Sequence, residues 1–213
     1  MKHFNLLIKE EILISQKVGK HERMAQMIEG AKAILETRGY EMAGGVVEDD
    51  EAEAVRIQGV RKVEDQEENE LIVIQIPYEE SVGIKAVRNF KKYLEESGIE
   101  KGILLAIEKY THYAKAGCEK EGIETFSVKF PFFNLFEHNL VPLHEFATEE
   151  EIQELKETYS LELYQLPKIT IDDPAAQLLG AKIGQVIKII RKSPTAGTHI
   201  VYRYVVLEAE EMI

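Results

Sequence analysis

The sequence predicts an α/β protein, α+β overall, that is built from two domains. Two runs rich in aliphatic and β-branched residues, Leu71–Ile76 and Gly102–Ile107, are typical of strands buried on both faces of a sheet. Apolar residues recur at helical spacing between them, from Ile84 to Leu94. Strand, helix and strand in this order predict a βαβ unit with a partly parallel sheet. Shorter helices and a hairpin follow near the carboxyl end and predict a second, smaller domain.

The rest of the first domain is predicted from helical periodicity and turn residues. Apolar residues at helical spacing from Met24 to Leu35 predict a helix, with Gly39 as its left-handed cap. The segment Glu41–Asn69 is rich in turn-forming and acidic residues, and it predicts one strand near Ala54–Val60. A further strand is predicted over Ile123–Val128.

Two helix start signals mark the second domain. Thr148 and Glu151 form a capping-box pattern, which predicts a helix running to about Tyr159. Asp173 followed by Pro174 predicts an N-cap with proline at the first helical position. We therefore place the domains at residues 1–144 and 145–213.

The second domain is predicted to end in a β-hairpin. Lys168–Ile171 is predicted to be extended, and Gly180 closes the short helix before the hairpin. Val186–Lys192 and Thr198–Val206 alternate like strands around a five-residue loop, Ser193–Gly197.

Charge and composition limit the function classes. The net charge is −12, but from residue 166 onward there are six basic against five acidic residues. The remaining residues, 1–165, therefore hold 20 basic against 33 acidic residues, a net charge of −13. An acidic excess of this size repels free duplex DNA through its phosphates. The single cysteine, Cys118, excludes an internal disulfide and a cysteine-based zinc site, and no uncharged apolar run reaches the ~18 residues of a membrane span.

The carboxyl-terminal motifs resemble a known family of transcription proteins. The matching positions are Leu166-Pro167-Lys168-Ile169, Asp173-Pro174-Ala175-Ala176, Gly180, Gly184 to Ser193, Ala196-Gly197 and Tyr202-Arg203. Upstream, Glu137 to His144 (EHNLVPLH) is similar to the linker motif of the same family. The pattern resembles the fifth-largest subunit shared by eukaryotic DNA-dependent RNA polymerases I, II and III. The last module alone is similar to a small archaeal RNA polymerase subunit that consists of this module.

This resemblance implies a fold and a role. The first domain would be a jaw with a restriction-nuclease-like core and no working active site, and the second a small mixed α/β assembly domain. The chain would be a non-catalytic subunit that needs no cofactor. Its partners would be the largest polymerase subunit, the rest of the core polymerase and downstream duplex DNA within that complex. Its location would be the nucleus, in nucleolus and nucleoplasm.

The predicted docking residues lie in the second domain. They are Pro174, Lys188, Arg191, Gly197, Tyr202 and Arg203. Strand alternation puts Lys188 on one face and Arg191 on the other. An arginine can bind a partner carboxylate with two hydrogen bonds, and a tyrosine is a good interface anchor. A solvated sheet face is the alternative interpretation.

The predicted DNA-proximal residues are Thr111, His112 and Lys115, on what should be a loop after a buried strand. The family carries a Thr-Pro pair there, whereas this chain has Thr111-His112. The position predicts phosphate contact, which positions DNA without reading its sequence. A plain surface loop is the alternative.

Two further groups contain residue types that can bind metals. In the first, Glu137, His138, Pro142 and His144 are predicted to form an interdomain linker, in which the histidines hydrogen-bond to the backbone rather than bind zinc.

In the second, Glu70, Glu79, Glu80 and Lys85 flank the strand that would hold the metal-binding carboxylates and lysine of a nuclease. Their spacing favours solvated loop charges, although a divergent metal-dependent nuclease remains an alternative function. A free transcription regulator with the same fold is another.

Overall fold

The chain folds into two compact units, Met1–Phe133 and Asn134–Ile213. The computed structural model describes residues 22–63, 69–126, 130–131, 135–138, 140–193 and 197–207, and the side chains of residues 192 and 193 are outside that description. The predicted boundary between residues 144 and 145 falls inside a strand, Leu143–Phe146, that pairs with the carboxyl-terminal hairpin. The second unit therefore begins earlier than the sequence predicts.

The amino-terminal unit is a five-stranded mixed sheet with helices. Its described elements are α1 (22–37), β1 (Glu41–Asp49), β2 (Ala54–Arg61), β3 (Glu70–Pro77), β4 (Ser81–Val82), α2 (Ile84–Glu96), β5 (Lys101–Leu104), β6 (Lys109–Tyr110), α3 (His112–Glu121) and β7 (Glu124–Thr125). The sheet order is β1-β2-β3-β5-β7. The first three strands are antiparallel, and β3, β5 and β7 are parallel. The predicted βαβ unit is present as β3-α2-β5.

Close helix packing on both faces of the sheet explains the apolar run Leu71–Ile74 of β3. On one face, Gly59 of β2 lies beside Ile72 of β3, and a Cβ added at Gly59 would be 2.7 Å from the Leu35 side chain of α1. On the other face, Gly102 of β5 lies beside Val73 of β3, and a Cβ added at Gly102 would be 2.5 Å from the Leu94 side chain of α2. Val73, Phe90 and the other members of the α2–α3 cluster pack on this second face. The unit is thus a sheet between helices, as β-branched central strands predict.

Two elements of this unit differ from the prediction. Glu41–Asp49 is a strand rather than a turn-rich segment, and its pairing with β2 is irregular between Met42 and Val46. Gly44 has φ +88° in this irregular stretch, so a glycine that resembles a turn signal serves a bulge instead. The predicted loop at Thr111–Lys115 is the start of helix α3. The predicted strand Ile123–Val128 is β7 in its first part, and residues 127–129 are outside the described residues.

The carboxyl-terminal unit is a four-stranded sheet of order β8-β10-β11-β9. Its elements are a 3₁₀ turn (Leu135–Glu137), β8 (Leu143–Phe146), α4 (Glu149–Tyr159), a second 3₁₀ turn (Leu163–Gln165), β9 (Lys168–Thr170), α5 (Pro174–Leu179), β10 (Val186–Ser193) and β11 (Gly197–Val206). Six apolar residues form its core: Ile169, Ala176, Ala181, Ile187, Ile189 and Val205. Short capped helices on a small sheet were predicted for this region.

The caps in this unit confirm the sequence signals. The Thr148 hydroxyl accepts from the Glu151 backbone N–H at 3.2 Å, and the Glu151 carboxylate accepts from the Thr148 N–H at 3.0 Å. Asp173 accepts from the Ala175 N–H at 2.9 Å, directly before Pro174. Strand pairing in the hairpin extends further than predicted, because Ser193, the last residue of β10, pairs with Gly197, the first residue of β11.

Among the described residues, no helix has both the length and the apolar character that crossing a membrane requires.

Candidate functional site

The predicted docking residues lie on both faces of the β10–β11 hairpin. Register pairs Lys188 with Tyr202 on one face, and Ile187 with Arg203 on the other. Arg191 lies opposite His199, on the same face as Ile187. The structure therefore separates the predicted set into two surfaces, as strand alternation predicts.

Lys188 is engaged in a contact within its own unit. Its ammonium donates to the Glu151 carboxylate of α4 at 2.6 Å. This hydrogen bond holds the pKa of Glu151 below its ordinary value and raises the pKa of Lys188. Burial raises the pKa of Tyr202, and the negative charge of Glu151 raises it further. Lys188 and Tyr202 thus fasten α4 to the sheet.

Arg191 and Arg203 differ in exposure and in whether their guanidinium groups already have hydrogen-bond partners. The Arg203 guanidinium donates to the backbone carbonyl of Lys168 at 3.0 Å and is half-buried. Arg191 is exposed, and within the described part of the chain it forms no hydrogen bond or ion pair. Its guanidinium projects from the face of the sheet that carries Ile187 and Ile189. Of the predicted cations, Arg191 is therefore the one placed to receive a partner carboxylate.

The remaining two docking residues have clear backbone roles. Pro174 is the first residue of α5 and is exposed beside the Asp173 cap. Gly197 opens β11 with φ +73°, a left-handed conformation that favours glycine. Both positions fix the path of the chain, and their contact with a partner stays a prediction.

The predicted linker residues belong to the carboxyl-terminal unit. His144 is buried, its Nδ1 donates to the Pro142 carbonyl at 2.8 Å, and its ring stacks on Phe136 at 5.6 Å. The Nδ1 of His138 accepts from the Leu140 N–H at 3.3 Å. Glu137 ends the first 3₁₀ turn. Among the described residues, no cluster of three or more potential metal ligands is present.

His144 should make the stability of this unit depend on pH. Burial lowers its pKa below the usual 6.5, opposed by the Pro142 carbonyl and Asp173, and aided by Arg203 and Arg191. The unfolded chain then binds the proton more readily, so stability is complete above pH 6.5 and falls as pH drops through the folded pKa. We expect chemical denaturation midpoints to decrease in that range, and to decrease less in His144→Asn, which can keep a donor without titrating. Equal slopes for the two proteins would contradict this assignment.

The predicted DNA-proximal residues form the first turn of α3. The Thr111 hydroxyl accepts from the Ala114 N–H at 3.2 Å, so this residue is the N-cap of the helix. His112 and Lys115 are exposed on the same turn, beside Tyr113. Backbone N–H groups at the start of a helix attract anions, and a nearby lysine adds to this attraction. The arrangement suits phosphate contact more than the predicted loop would.

A cluster of side chains around Arg56 connects strands β1, β2 and β3 with helix α2. Arg56 on β2 donates through Nε to buried Gln75 on β3 at 2.8 Å, and it also bonds to Asp49 on β1. Its guanidinium lies 3.7 Å from the centre of the Tyr93 ring. Arg56 was missed from sequence, although an arginine inside an apolar strand run was a usable signal.

The flanking acids considered for metal binding have other partners or face solvent. Glu70 accepts from Tyr40, Arg61 and Lys101. Glu79 and Glu80 are exposed before α2. The two-carboxylate arrangement of metal-dependent nucleases is therefore not assembled from these residues.

Comparison with family models identifies both units. Residues 133–205 match the model "RNA polymerase Rpb5, C-terminal domain", and residues 23–129 match a restriction endonuclease model. The confirmed resemblance is thus that of a nuclease-like domain followed by a polymerase-subunit domain.

Curated relatives agree with these matches. DNA-directed RNA polymerase subunit Rpo5 of Methanocaldococcus jannaschii is 51% identical over 70 residues, covering 33% of this chain and 90% of the relative. The subunit of the same name from Thermococcus kodakarensis is 54% identical over 74 residues, covering 35% and 90%. DNA-directed RNA polymerases I, II, and III subunit RPABC1 of Caenorhabditis elegans is 38% identical over 134 residues, 61% of this chain and 64% of the relative.

Proposed function

Because this chain belongs to the Rpb5 family of RNA polymerase subunits, we propose that it is built into a multisubunit DNA-dependent polymerase through its carboxyl-terminal unit. Two archaeal relatives are aligned over 90% of their length with about a third of this chain, so that third is a complete module in them. The chain is a non-catalytic subunit. A shared role in polymerases I, II and III is proposed from the name of the nematode relative.

The surface proposed for docking is the exposed part of the sheet face that carries Arg191, since Ile187, Ile189 and Val205 of that face are buried in the core of the unit. Exposed Phe146 on β8 and half-buried Val201 on β11 lie on the same face. An unused arginine beside apolar side chains suits a partner that offers a carboxylate within an apolar patch. We propose the largest polymerase subunit as that partner.

The amino-terminal unit is proposed to form a jaw beside downstream duplex DNA. Its support is the first turn of α3, where a helix start, His112 and Lys115 are exposed together. Residues 1–133 hold 19 basic against 25 acidic residues, a net charge of −6, which opposes DNA binding by the free chain, so contact would occur only inside the complex. The contribution would be steric support rather than sequence reading.

Charge reversal at α3 tests the DNA contact. In the assembled polymerase, the double variant His112→Glu and Lys115→Glu should shorten the open-complex lifetime slightly, by about twofold, because one or two phosphate contacts are lost. Its lifetime should also depend less steeply on salt. Lys182→Glu together with Ile183→Glu, exposed positions of the other unit, is the control that adds the same number of acidic residues outside the first unit. If wild type and the α3 variant had identical lifetimes and salt slopes, the proposed contact between α3 and DNA would be wrong.

Affinity purification of the tagged full chain tests the assignment as a whole. We expect the large polymerase subunits to co-purify with it at equal stoichiometry, and the tagged chain to lie in the nucleus, in both nucleolus and nucleoplasm. Recovery of the chain alone, or with other proteins in place of polymerase subunits, would favour a free regulator and overturn the proposal.

A further inference from the structure

A groove between helices α2 and α3 combines an apolar floor with a basic rim. Its volume is about 270 Å³, just below the ~300–1,000 Å³ of small-molecule sites, so it has the size for one or two side chains. Ile84, Val87 and Gly117 form the floor. The rim holds Arg88, Lys91, Lys92 and Lys120 together with two acids, Glu95 and Glu121.

The floor exists because the helices approach closely at a glycine. A Cβ added at Gly117 would lie 2.6 Å from the Ile84 Cδ1 and 3.5 Å from the Val87 Cγ1. Ile84 is only half-buried by this contact, so part of its side chain faces the groove. The remaining opening is therefore apolar at its base.

The cations of the rim are largely free for a partner. Lys91 and Lys92 face acids of their own helix at 3.8 and 3.5 Å, in exposed pairs that contribute little to stability. In the described part of the chain, neither Arg88 nor Lys120 forms a hydrogen bond or ion pair. Four cations against three acids, counting Glu96 that faces Lys92, leave this groove locally positive, although residues 1–133 carry a net charge of −6, from 19 basic and 25 acidic residues.

We propose that this groove binds an acidic peptide segment of a partner protein, with one or two apolar side chains seated on the floor and carboxylates on the rim. A long polyanion such as duplex DNA gains affinity from many phosphates, and the acidic unit would oppose it at each of them. A short segment has few charges to repel, and burial of its apolar side chains adds affinity that phosphates cannot supply. The groove is thus a recruitment surface that is independent of polymerase docking.

Fluorescence anisotropy with the full chain tests this proposal. Three labelled probes are compared: a peptide of alternating acidic and leucine or phenylalanine residues, the same peptide with serine at every apolar position, and a duplex DNA oligomer. We expect the acidic–apolar peptide to bind best, with an affinity that falls as salt rises. The double variant Arg88→Glu and Lys120→Glu should weaken this binding by about tenfold or more.

The matched control is Lys62→Glu with Lys109→Glu, which makes the same charge change at two exposed positions of the same unit outside the groove. The control should bind the peptide as wild type does. Equal weakening by the control would show that only the net charge of the unit affects binding. Equal affinity for the serine peptide would show that the apolar floor does not contribute to binding. Each of these two results would overturn the proposal. Tighter binding of the DNA oligomer than of the acidic–apolar peptide would also overturn it, and so would no binding of that peptide.

Discussion

Replacing Arg56 by alanine should destabilise the amino-terminal unit by about 2–3 kcal/mol. Removing one partner of a buried ion pair costs roughly 3–5 kcal/mol, and the cost here should be smaller because Asp49 keeps a quarter of its side-chain surface exposed. The change also leaves buried Gln75 without its 2.8 Å donor and removes the cation from the Tyr93 ring. These losses fall on three adjacent strands, β1 to β3, and on helix α2.

Hydrogen exchange over residues 54–77 is the measurement that locates this effect. Arg56→Ala should speed exchange in β2 and β3, whereas β10 and β11 should be unchanged. Arg56→Lys should lie between the two, since an ammonium keeps the charge but cannot reach several acceptors with a planar fork. Arg88→Ala, at an exposed arginine, is the control and should behave as wild type. Wild-type exchange in Arg56→Ala would show that the cluster contributes no stability.

A carboxyl-terminal fragment should be markedly more stable when strand β8 is included. The strand Leu143–Phe146 pairs with β10 over four residues and supplies His144, which is buried against Phe136. We expect a fragment of residues 134–213 to unfold cooperatively. A fragment starting at residue 148 should lose at least about 2 kcal/mol, roughly 8–16 °C in Tm for a domain of this size.

Thermal unfolding followed by far-UV circular dichroism compares these fragments. The double variant Phe136→Ala and His144→Ala in the longer fragment serves as an intermediate, because it keeps the β8 backbone pairing and removes the side-chain packing. If the fragment starting at residue 148 were as stable as the longer one, β8 would not be part of the folded unit.

The elements that were predicted well depend on residues that are close together in the sequence. The capping box at Thr148 and the Asp173-Pro174 start each depend on residues within one helical turn, and both caps are present. The β-branched run of β3 is buried between helix layers, as its composition indicates. Local chemistry of this kind does not depend on the rest of the fold.

The elements missed depend on distant partners. Strand β1 contains two glycines and several acids, and it is a strand because β2 pairs with it. Helix α3 has little periodic apolar character, since only Ala114 and Cys118 of it are buried. Strand β8 resembled a linker because its partner, β10, lies some forty residues later in the chain.

For the candidate site, the sequence predicted on which strand face each residue lies better than it predicted which side chains each residue contacts. Alternation correctly put Lys188 and Arg191 on opposite faces. It gave no sign that Lys188 is bound to Glu151 of α4, since the two are separated by 37 residues. Likewise, the cluster around Arg56 joins side chains from three strands and a helix, and such a set forms only once the sheet is paired.

Capture of the largest polymerase subunit by three forms of the chain tests the central claim most directly. Tagged full chain, residues 134–213 and residues 1–133 are compared under the same conditions, with the stoichiometry measured in each eluate. We expect the full chain and the carboxyl-terminal unit to capture the largest subunit at equal stoichiometry, and the amino-terminal unit to capture none. Capture by residues 1–133, with none by a folded fragment of residues 134–213, would contradict the assignment of the carboxyl-terminal unit as the anchor.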